Sequence, residues 1–310
     1  MTVPYQTVDV FTDRHFGGNP LAVIPEASTI SEDDLQRIAA EFNYSETTFV
    51  LPPTDPANTA RVRIFTTEAE LPFAGHPNVG TAFVLAEMGR SMRTADGREV
   101  LRFEEGAGLV EIEVTRDAAG VIVATTFTAP QPFTRGGEVA SADVAACLGL
   151  PVDAVVVDRH LPVRGSVGLT FTLAELRSLD DLAAIRPVIA EMERCDKRYP
   201  SPERLFAILA YVRTPARPDG VDVRCRMYSY GAFVGEDPAT GSANGALIGL
   251  LASLDGRSDG EVRVRSGQGF EMGRPSILEL AADLRDGAVT AVRVGGRSVP
   301  MMRGVLLLGG

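Results

Sequence analysis

The chain has 310 residues, 45% of them hydrophobic, and a formal net charge of −11. This length suffices for one large or two medium domains with a sizeable core, and the acidic charge disfavours nucleic acid or an anionic membrane as a partner. Because the sequence lacks the pattern of a signal peptide and any run of about 18 apolar residues, we expect a cytoplasmic protein without a transmembrane helix.

Strand and helix patterns alternate along the first part of the chain. Residues 5–11 alternate apolar and polar side chains, as a half-buried strand does. Ser31, followed by three acidic residues, predicts the start of a helix. Further predicted elements are strands at 47–51 and 61–66, an apolar helix at 78–87, and a hairpin of 111–114 with 121–127 around 117–120.

The second part begins after a segment rich in Pro and Gly. Residues 129–137, APQPFTRGG, predict a linker between two halves. The predicted strands beyond it are 221–228, 262–266, 277–280, 289–294 and 304–308.

Cysteines and histidines are few. Three cysteines, an odd and sparse set, predict reduced thiols in a cytosolic protein. Three histidines are scattered and lack the spacing of metal ligands, so we expect no metal site. These residues are Cys147, Cys195, Cys225, His15, His76 and His160.

Two segments of the chain resemble each other. Residues 70–86 are ELPFAGHPNVGTAFVLA and residues 236–252 are EDPATGSANGALIGLLA, so that Gly75 matches Gly241 at a distance of 166 residues. Each runs from an acidic residue through Pro and Gly into a helix of small and apolar residues. The pattern favours a duplicated fold with two similar halves; the alternative is two unrelated glycine turns before helices.

A glycine turn that opens a helix leaves backbone N–H groups free at the positive end of the helix dipole. Such a turn can bind a carboxylate or phosphate. The small residues Gly75, Gly241 and Ser242 would let a ligand approach the backbone closely. The alternative is that these small residues only allow tight helix packing.

Glu46 is the candidate acid/base. It lies in NYSETTFV, where a helix gives way to a β-branched strand. Partial burial there would raise the pKa of its carboxyl toward neutrality and make it a usable proton shuttle. From these residues alone, Glu46 could equally be solvated or a cap. Likewise His76 could be structural, Asp237 could cap the second helix, and Asn19 and Ser45 could be turn or cap residues.

Four segments in this order, DVFTDRHFGGNPLAV, EFNYSETTFV, ELPFAGHP and EDPATGSANG, followed by GQGFEMGRPS, closely resemble the phenazine-biosynthesis PhzF-like family of isomerases. The resemblance covers nearly the whole chain. It implies an α+β, diaminopimelate epimerase-like fold of two pseudo-symmetric halves, each a curved, mostly antiparallel sheet around a central helix. The implied halves are 1–128, joined by a last strand at about 297–310, and 129–296.

The resemblance also assigns roles to individual residues. Glu46 matches the family's catalytic acid/base, and His76 and Asp237 match the pair that orients the substrate. The residues matching the groups that bind the substrate are Asn19, Ser45, Gly75, Gly241 and Ser242.

The implied activity is a cofactor-independent isomerisation that moves a proton within a small cyclic or unsaturated carboxylate, similar to trans-2,3-dihydro-3-hydroxyanthranilate isomerase in antibiotic biosynthesis. No cofactor or metal is needed, and family analogy implies a homodimer. The alternatives are a hydrolase or cyclase acting on a related amino-acid-derived intermediate, and a small-molecule binding protein without turnover.

Two departures bear on mechanism and substrate. Epimerases and racemases of this fold use two thiols just before the matched glycines, where this chain has Ala74 and Thr240, so a two-thiol mechanism is not expected. Three aromatic residues, Tyr44, Tyr230 and Phe233, stand at less usual places and are expected to reshape the pocket.

Overall fold

The computed structural model describes residues 2–201, 205–216, 219–231 and 235–309. Contacts divide it into two compact units, residues 2–130 with 295–309, and residues 131–294. Within these described ranges, every helix is too short or too polar to cross a membrane.

The first unit contains most of the N-terminal elements and the final strand. In chain order its first elements are β1 Thr2–Val10, β2 Asn19–Ile24, α1 Glu32–Phe42, β3 Glu46–Leu51, β4 Ala60–Phe65, β5 Glu70–Leu71, α2 Gly75–Glu87, β6 Met92–Arg93, β7 Glu99–Glu105, β8 Gly108–Arg116 and β9 Ile122–Thr128.

The second unit follows without interruption. Its elements are β10 Thr134–Glu138, α3 Ser141–Leu148, a 3-10 turn Val152–Ala154, β11 Val163–Ser166, β12 Thr170–Glu175, α4 Leu179–Ala184, α5 Ile189–Arg198, β13 Leu205–Arg213, β14 Val223–Gly231, β15 Gly235–Asp237, α6 Gly241–Ser253, β16 Gly260–Gln268, β17 Ser276–Arg285 and β18 Ala288–Gly296. The last strand, β19 Ser298–Leu307, belongs to the first unit.

The first unit is a sheet that curls around α2. Its strands pair in the order β19–β1–β2–β3–β4–β7–β8–β9, with parallel pairing only for β2 with β3 and β4 with β7 within this series. Helix α2 contacts β1, β2 and β3 as well as β8 and β9. Because strands from both ends of the series contact it, α2 is buried from Gly75 to Ala86.

The second unit repeats this arrangement. Its strands pair in the order β10–β11–β12–β13–β14–β16–β17, again with two parallel pairs, β12 with β13 and β14 with β16. Helix α6 is buried from Gly241 to Ala252 and contacts β10, β11, β12, β16 and β17. The α+β architecture of two similar halves, each with a central helix, is therefore confirmed.

The composition of the two central helices explains their burial. Neither has a polar face, so each must be enclosed on all sides. Glycines let the strands come close: a Cβ on Gly80 would lie 2.6 Å from Leu21 Cδ2 and 2.7 Å from Val10 Cγ2, and one on Gly249 would lie 2.4 Å from the Phe133 ring. These glycines therefore serve packing.

The prediction of a linker over 129–137 is wrong in its second part. Strand β10 begins at Thr134, which pairs with Ser166 of β11. Gly136 permits this close pairing, because a Cβ there would lie 3.2 Å from the Arg164 Cβ. A strand this short and this rich in glycine has no sequence pattern that separates it from a loop.

We expect Gly80→Val to destabilise the first unit by about 2–3 kcal/mol, because the added methyl groups would overpack the contact between α2 and the strands around Leu21 and Val10. Urea denaturation followed by circular dichroism measures this loss. The matched control is Glu87→Val, which places the same residue on the exposed last turn of the same helix and should change stability by only about 0.5 kcal/mol. Equal effects at the two positions would contradict the tight packing.

Candidate active site

Three polar side chains converge at the N-terminal end of α2. Asn19 is the first residue of β2, Glu46 is the first residue of β3, and His76 is the second residue of α2. Strands β2 and β3 run parallel, with Leu21 opposite Glu46, so both strands start at the same edge of the sheet. Gly18 makes the turn into β2 possible, since its φ is 61° and a Cβ would lie 2.2 Å from the Val10 carbonyl oxygen.

The imidazole of His76 contacts both neighbours through Nδ1. Glu46 Oε2 and Asn19 Nδ2 each lie 3.3 Å from this nitrogen. The side chain of His76 is 4% exposed and that of Glu46 16%. Burial lowers the pKa of His76 to about 3, against a smaller opposing effect of the Pro20 carbonyl. The ring is therefore neutral near pH 7, so its 3.3 Å contact with Glu46 Oε2 is not an ion pair.

A neutral imidazole fits both protonation states of Glu46. When Glu46 is protonated, its O–H can donate to Nδ1. When Glu46 is ionised, the ring can donate from Nδ1–H to Oε2, with the Asn19 amide turned so that its oxygen faces the ring. His76 Nε2 is buried and makes no hydrogen bond of ordinary geometry to the described residues.

The helix that carries His76 begins without a side-chain cap. Ala74 is the N-cap, and its side chain makes no capping hydrogen bond. Gly75 and His76 are buried, and Pro77 has no N–H group. The two backbone N–H groups of Gly75 and His76 thus form a buried, positively polarised end that suits a carboxylate.

The second unit has a similar end at α6. Gly241 and Ser242 are the first two helical residues, both buried, and Thr240 is the N-cap without a side-chain bond to the first turn. Asp237 ends β15 and accepts a hydrogen bond of 2.6 Å from Thr240 Oγ1 to its Oδ2. A carboxylate that is oriented in this way can accept a hydrogen bond from a ligand donor.

A buried amide network that the sequence did not predict holds this second helix end. Gln268 Oε1 accepts from Asn244 Nδ2 at 2.8 Å and from the Thr240 N–H at 3.2 Å, while its Nε2 donates to the Asp237 carbonyl at 2.7 Å. Asn244 also donates to the Thr240 carbonyl at 3.0 Å and accepts from Ser266 Oγ at 2.6 Å. The one available signal was that Asn244 and Asn78 share the 166-residue offset of the duplicated segments.

The remaining predicted residues lie beside these groups or outside the described structure. Ser45 directly precedes Glu46 and is half-buried. Tyr44 packs on Phe42 with ring centroids 6.1 Å apart. Tyr230 is on β14 and packs on the core of the second unit. Phe233 lies outside the described residues.

All three thiols are buried, and the sulfur of Cys225 lies 3.7 Å from Asn244 Oδ1 on the first turn of α6. Cys147 and Cys195 lie on α3 and α5 with their sulfurs 3.5 Å apart. Cys225 is on β14, and burial raises the pKa of its thiol to about 12. Burial raises the pKa of the other two as well. These thiols are therefore poor acids and bases near neutral pH.

Within the described ranges, no group of three His, Cys, Asp or Glu side chains is close enough to hold a metal ion.

We expect the His76 ring to stay neutral, so that its NMR signals do not titrate between pH 5 and pH 8. Because burial lowers its folded-state pKa to about 3, the unfolded chain binds more protons below about pH 6.5. The stability of the wild type relative to His76→Gln should therefore fall as the pH drops from about 6.5 toward 3, with the folding equilibrium constant changing by about tenfold per pH unit.

Urea denaturation at a series of pH values measures this dependence. His15→Gln, which changes an exposed histidine in a loop, controls for the loss of an imidazole. A His76 ring that titrates near neutral pH would contradict the neutral contact with Glu46.

Known proteins match this chain over nearly its whole length. The family model PhzC-PhzF, described as Phenazine biosynthesis-like protein, matches residues 8–304. An uncharacterized isomerase of Mesorhizobium japonicum is 34% identical, with 98% of each chain covered. The trans-2,3-dihydro-3-hydroxyanthranilate isomerase of Pseudomonas fluorescens is 33% identical over 98% of this chain and 99% of its own.

A solved structure supports the fold independently of close sequence identity. The phenazine biosynthesis protein of the PhzF family from Bacillus anthracis has a TM-score of 0.84 at 23% identity, with 99% of this chain and 100% of that chain covered. The diaminopimelate epimerase-like fold predicted from the sequence is thereby confirmed. The chain belongs to the PhzC-PhzF family of phenazine-biosynthesis-like proteins, among whose named relatives are isomerases.

Proposed function

We propose that this protein is a cofactor-independent isomerase that moves a proton between two carbons of a small cyclic or unsaturated carboxylate. The observation that carries the proposal is the contact of Glu46 with the neutral ring of His76, 3.3 Å apart, at the uncapped end of α2. The related isomerase of Pseudomonas fluorescens makes trans-2,3-dihydro-3-hydroxyanthranilate the first substrate to test.

The chemistry requires one group that is both base and acid. Glu46 as a carboxylate removes a proton from a carbon next to the unsaturated system, and the electron pair delocalises over that system. The protonated Glu46 then returns the proton to another carbon, which shifts the double bond with no net loss or gain of atoms. His76 supports this cycle because its neutral ring can hydrogen-bond to either form of Glu46.

The other roles are assigned by the chemistry of each group. We assign the backbone N–H groups at Gly75, Gly241 and Ser242 to the substrate carboxylate and to the negative charge that develops on the substrate. Asp237 accepts a hydrogen bond from a substrate donor such as an amine or hydroxyl group. Asn19 and Ser45 complete the polar contacts near Glu46.

The family relationship supports three further proposals about context. The protein acts as a homodimer, in the cytoplasm, in the biosynthesis of an antibiotic or related secondary metabolite. Light scattering on the purified protein measures its assembly, and a monomeric mass would contradict the first of these.

We expect Glu46→Gln to lower turnover by about 10²–10⁴-fold, the usual contribution of a general acid/base, with the fold intact. Proton NMR in D₂O with trans-2,3-dihydro-3-hydroxyanthranilate should detect isomerisation with deuterium at a ring carbon in the wild type. Glu41→Gln, on the exposed side of α1, is the matched control and should leave the rate unchanged.

Other outcomes of this experiment would indicate a different catalytic group or a different function. Undiminished turnover in Glu46→Gln would remove Glu46 from the mechanism. A product that has gained water or closed a ring would identify a hydrolase or a cyclase. Saturable binding without deuterium exchange, equal in the wild type and in Glu46→Gln, would identify a binding protein.

We also expect the triple variant Cys147→Ala, Cys195→Ala, Cys225→Ala to turn over substrate within about twofold of the wild type, because a thiol mechanism needs an accessible thiolate and all three thiols are buried. The same NMR assay measures this, and the melting temperature controls for lost packing. Abolished turnover in a folded triple variant would revive a thiol mechanism.

A further inference from the structure

A buried carboxyl group lies at the base of the first helix end, outside the roles assigned above. Glu105 is the last residue of β7. Both of its carboxyl oxygens are shielded from solvent and make no hydrogen bond of ordinary geometry to the described residues. The carboxamide of Asn78, on the first turn of α2, lies beside it. An ionised carboxyl in such a place would be costly.

The duplicated fold identifies the counterpart of Glu105. Strands β4 and β7 pair with Ala60 opposite Phe103, as β14 and β16 pair with Val223 opposite Ser266. Glu105 follows Phe103 by two residues. In the second unit, the residue two positions after Ser266 is therefore the equivalent, and this is Gln268.

The glycine that follows each of these residues supports the match. Gly106 approaches the loop before α2 so closely that a Cβ would lie 3.0 Å from Pro72 Cα. Gly269 approaches the loop before α6 in the same way, with a Cβ position 2.5 Å from the Pro238 carbonyl oxygen. Pro72 and Pro238 are themselves separated by the 166-residue offset.

The two asparagines show what the first unit lacks. Asn78 Nδ2 donates to the Ala74 carbonyl at 3.0 Å, just as Asn244 Nδ2 donates to the Thr240 carbonyl at 3.0 Å. In the second unit the Ser266 hydroxyl donates to Asn244 Oδ1. The first unit has Phe103 in the place of that serine, and Asn78 Oδ1 is buried without a hydrogen bond of ordinary geometry to the described residues. Among the described residues, the first unit therefore lacks a hydrogen-bond donor to Asn78 Oδ1 that corresponds to the Ser266 hydroxyl.

A carboxylate has only acceptor atoms, whereas a carboxylic acid has one donor and can also accept, as the amide of Gln268 does. We propose that Glu105 remains protonated and is a positioning residue, whose O–H donates to Asn78 Oδ1 and so fixes the end of α2 that carries Gly75 and His76. The hydrogen bond from protonated Glu105 to Asn78 is called the clamp below. Only its effect on catalysis rests on the proposed function; the clamp itself does not.

Ionisable side chains border the same surface cleft as Glu105. Glu105 borders a surface cleft of about 420 Å³. The ionisable residues that line this cleft from α1, β4, β5 and β7 are Glu32, Arg61, Arg63, Glu70 and Glu104. Burial raises the pKa of the Glu105 carboxyl well above 4.5. The amide N–H of Asn78, which can donate to a carboxyl oxygen as Asn244 Nδ2 donates to Gln268 Oε1, opposes this only in part.

The first test needs no substrate. A raised folded-state pKa means that the folded protein holds a proton that the unfolded chain releases above about pH 4.5, so the wild type loses stability as the pH rises. Glu105→Gln keeps a donor and an acceptor but does not titrate. Above pH 4.5, the ratio of its folding equilibrium constant to that of the wild type should therefore rise about tenfold per pH unit, until the pH reaches the folded-state pKa of Glu105.

The neighbouring Glu104→Gln is the matched control. Hydrogen bonds from the Asn58 side chain and from the backbone N–H groups of Asp55 and Thr54 lower the pKa of Glu104 to about 2. The free energy of unfolding of this variant should therefore change with pH in the same way as that of the wild type from pH 5 to pH 9. The same pH dependence of stability in Glu105→Gln and in the wild type would overturn the proposal.

Two further measurements separate the clamp from the function. Infrared spectroscopy of the wild type should detect the C=O stretch of a protonated carboxyl above about pH 6, where exposed carboxyls are ionised; its absence would also overturn the proposal, even if Glu105→Gln failed to fold. In kinetics, Glu105→Met, which has neither donor nor acceptor, should raise KM by about tenfold with a smaller change in kcat, and Glu105→Gln should restore KM.

These results can be told apart from a failure of the proposed function. If no substrate is turned over, the pH-dependent gain and the infrared band still test the clamp. If turnover occurs but Glu105→Met leaves KM unchanged, the link between the clamp and the anion-binding end of α2 is overturned.

Discussion

The structure depends on burying the N-terminus of a helix that has no polar face. Helices α2 and α6 are enclosed by strands on all sides, so their unbonded N–H groups and the carbonyls of the preceding loops lie in the interior. Interior polar groups need partners. Asn78 and Asn244 each bond to the carbonyl of the N-cap residue and leave the first N–H groups for a ligand. The same constraint explains why each of these helices begins with a glycine and why the loops before them pack against Gly106 and Gly269.

The sequence predicted most of what is local. The duplicated segments, the central helices and the hairpin around 117–120 have short-range patterns, and each is present in the structure. Strand β10 was missed because its two glycines give it no strand pattern, and α5 was not recognised because only Met192 and Cys195 of its ten residues are buried. Glu105 and Gln268 could not be identified either. Each acts on a loop about 30 residues away in sequence, and only the pairing of strands brings them together.

The two units hold their buried helix N-termini with different kinds of side chain. In the second unit the helix end is held by amides and hydroxyls, which do not titrate near neutral pH. In the first unit the equivalent positions hold Glu105 and Phe103, and the nearby pair is Glu46 with His76. The first unit thus has Glu46, His76 and Glu105 near its helix end, whereas the second has Asp237 beside the N-cap Thr240, and burial affects which of these side chains carry charge. A duplicated scaffold can keep one end rigid while the other acquires proton chemistry.

The pairing of β1 with β19 sets the order in which the chain can become structured. Thr2 lies opposite Leu307, so the sheet around α2 is complete only when the last strand is available. Residues 131–294 are continuous and contain every strand of their own sheet series, from β10 to β17. During synthesis, the second unit can therefore fold before the first one closes. The edge of β1 stays open until residues 298–307 have been synthesised, and until then it is exposed to wrong strand pairing.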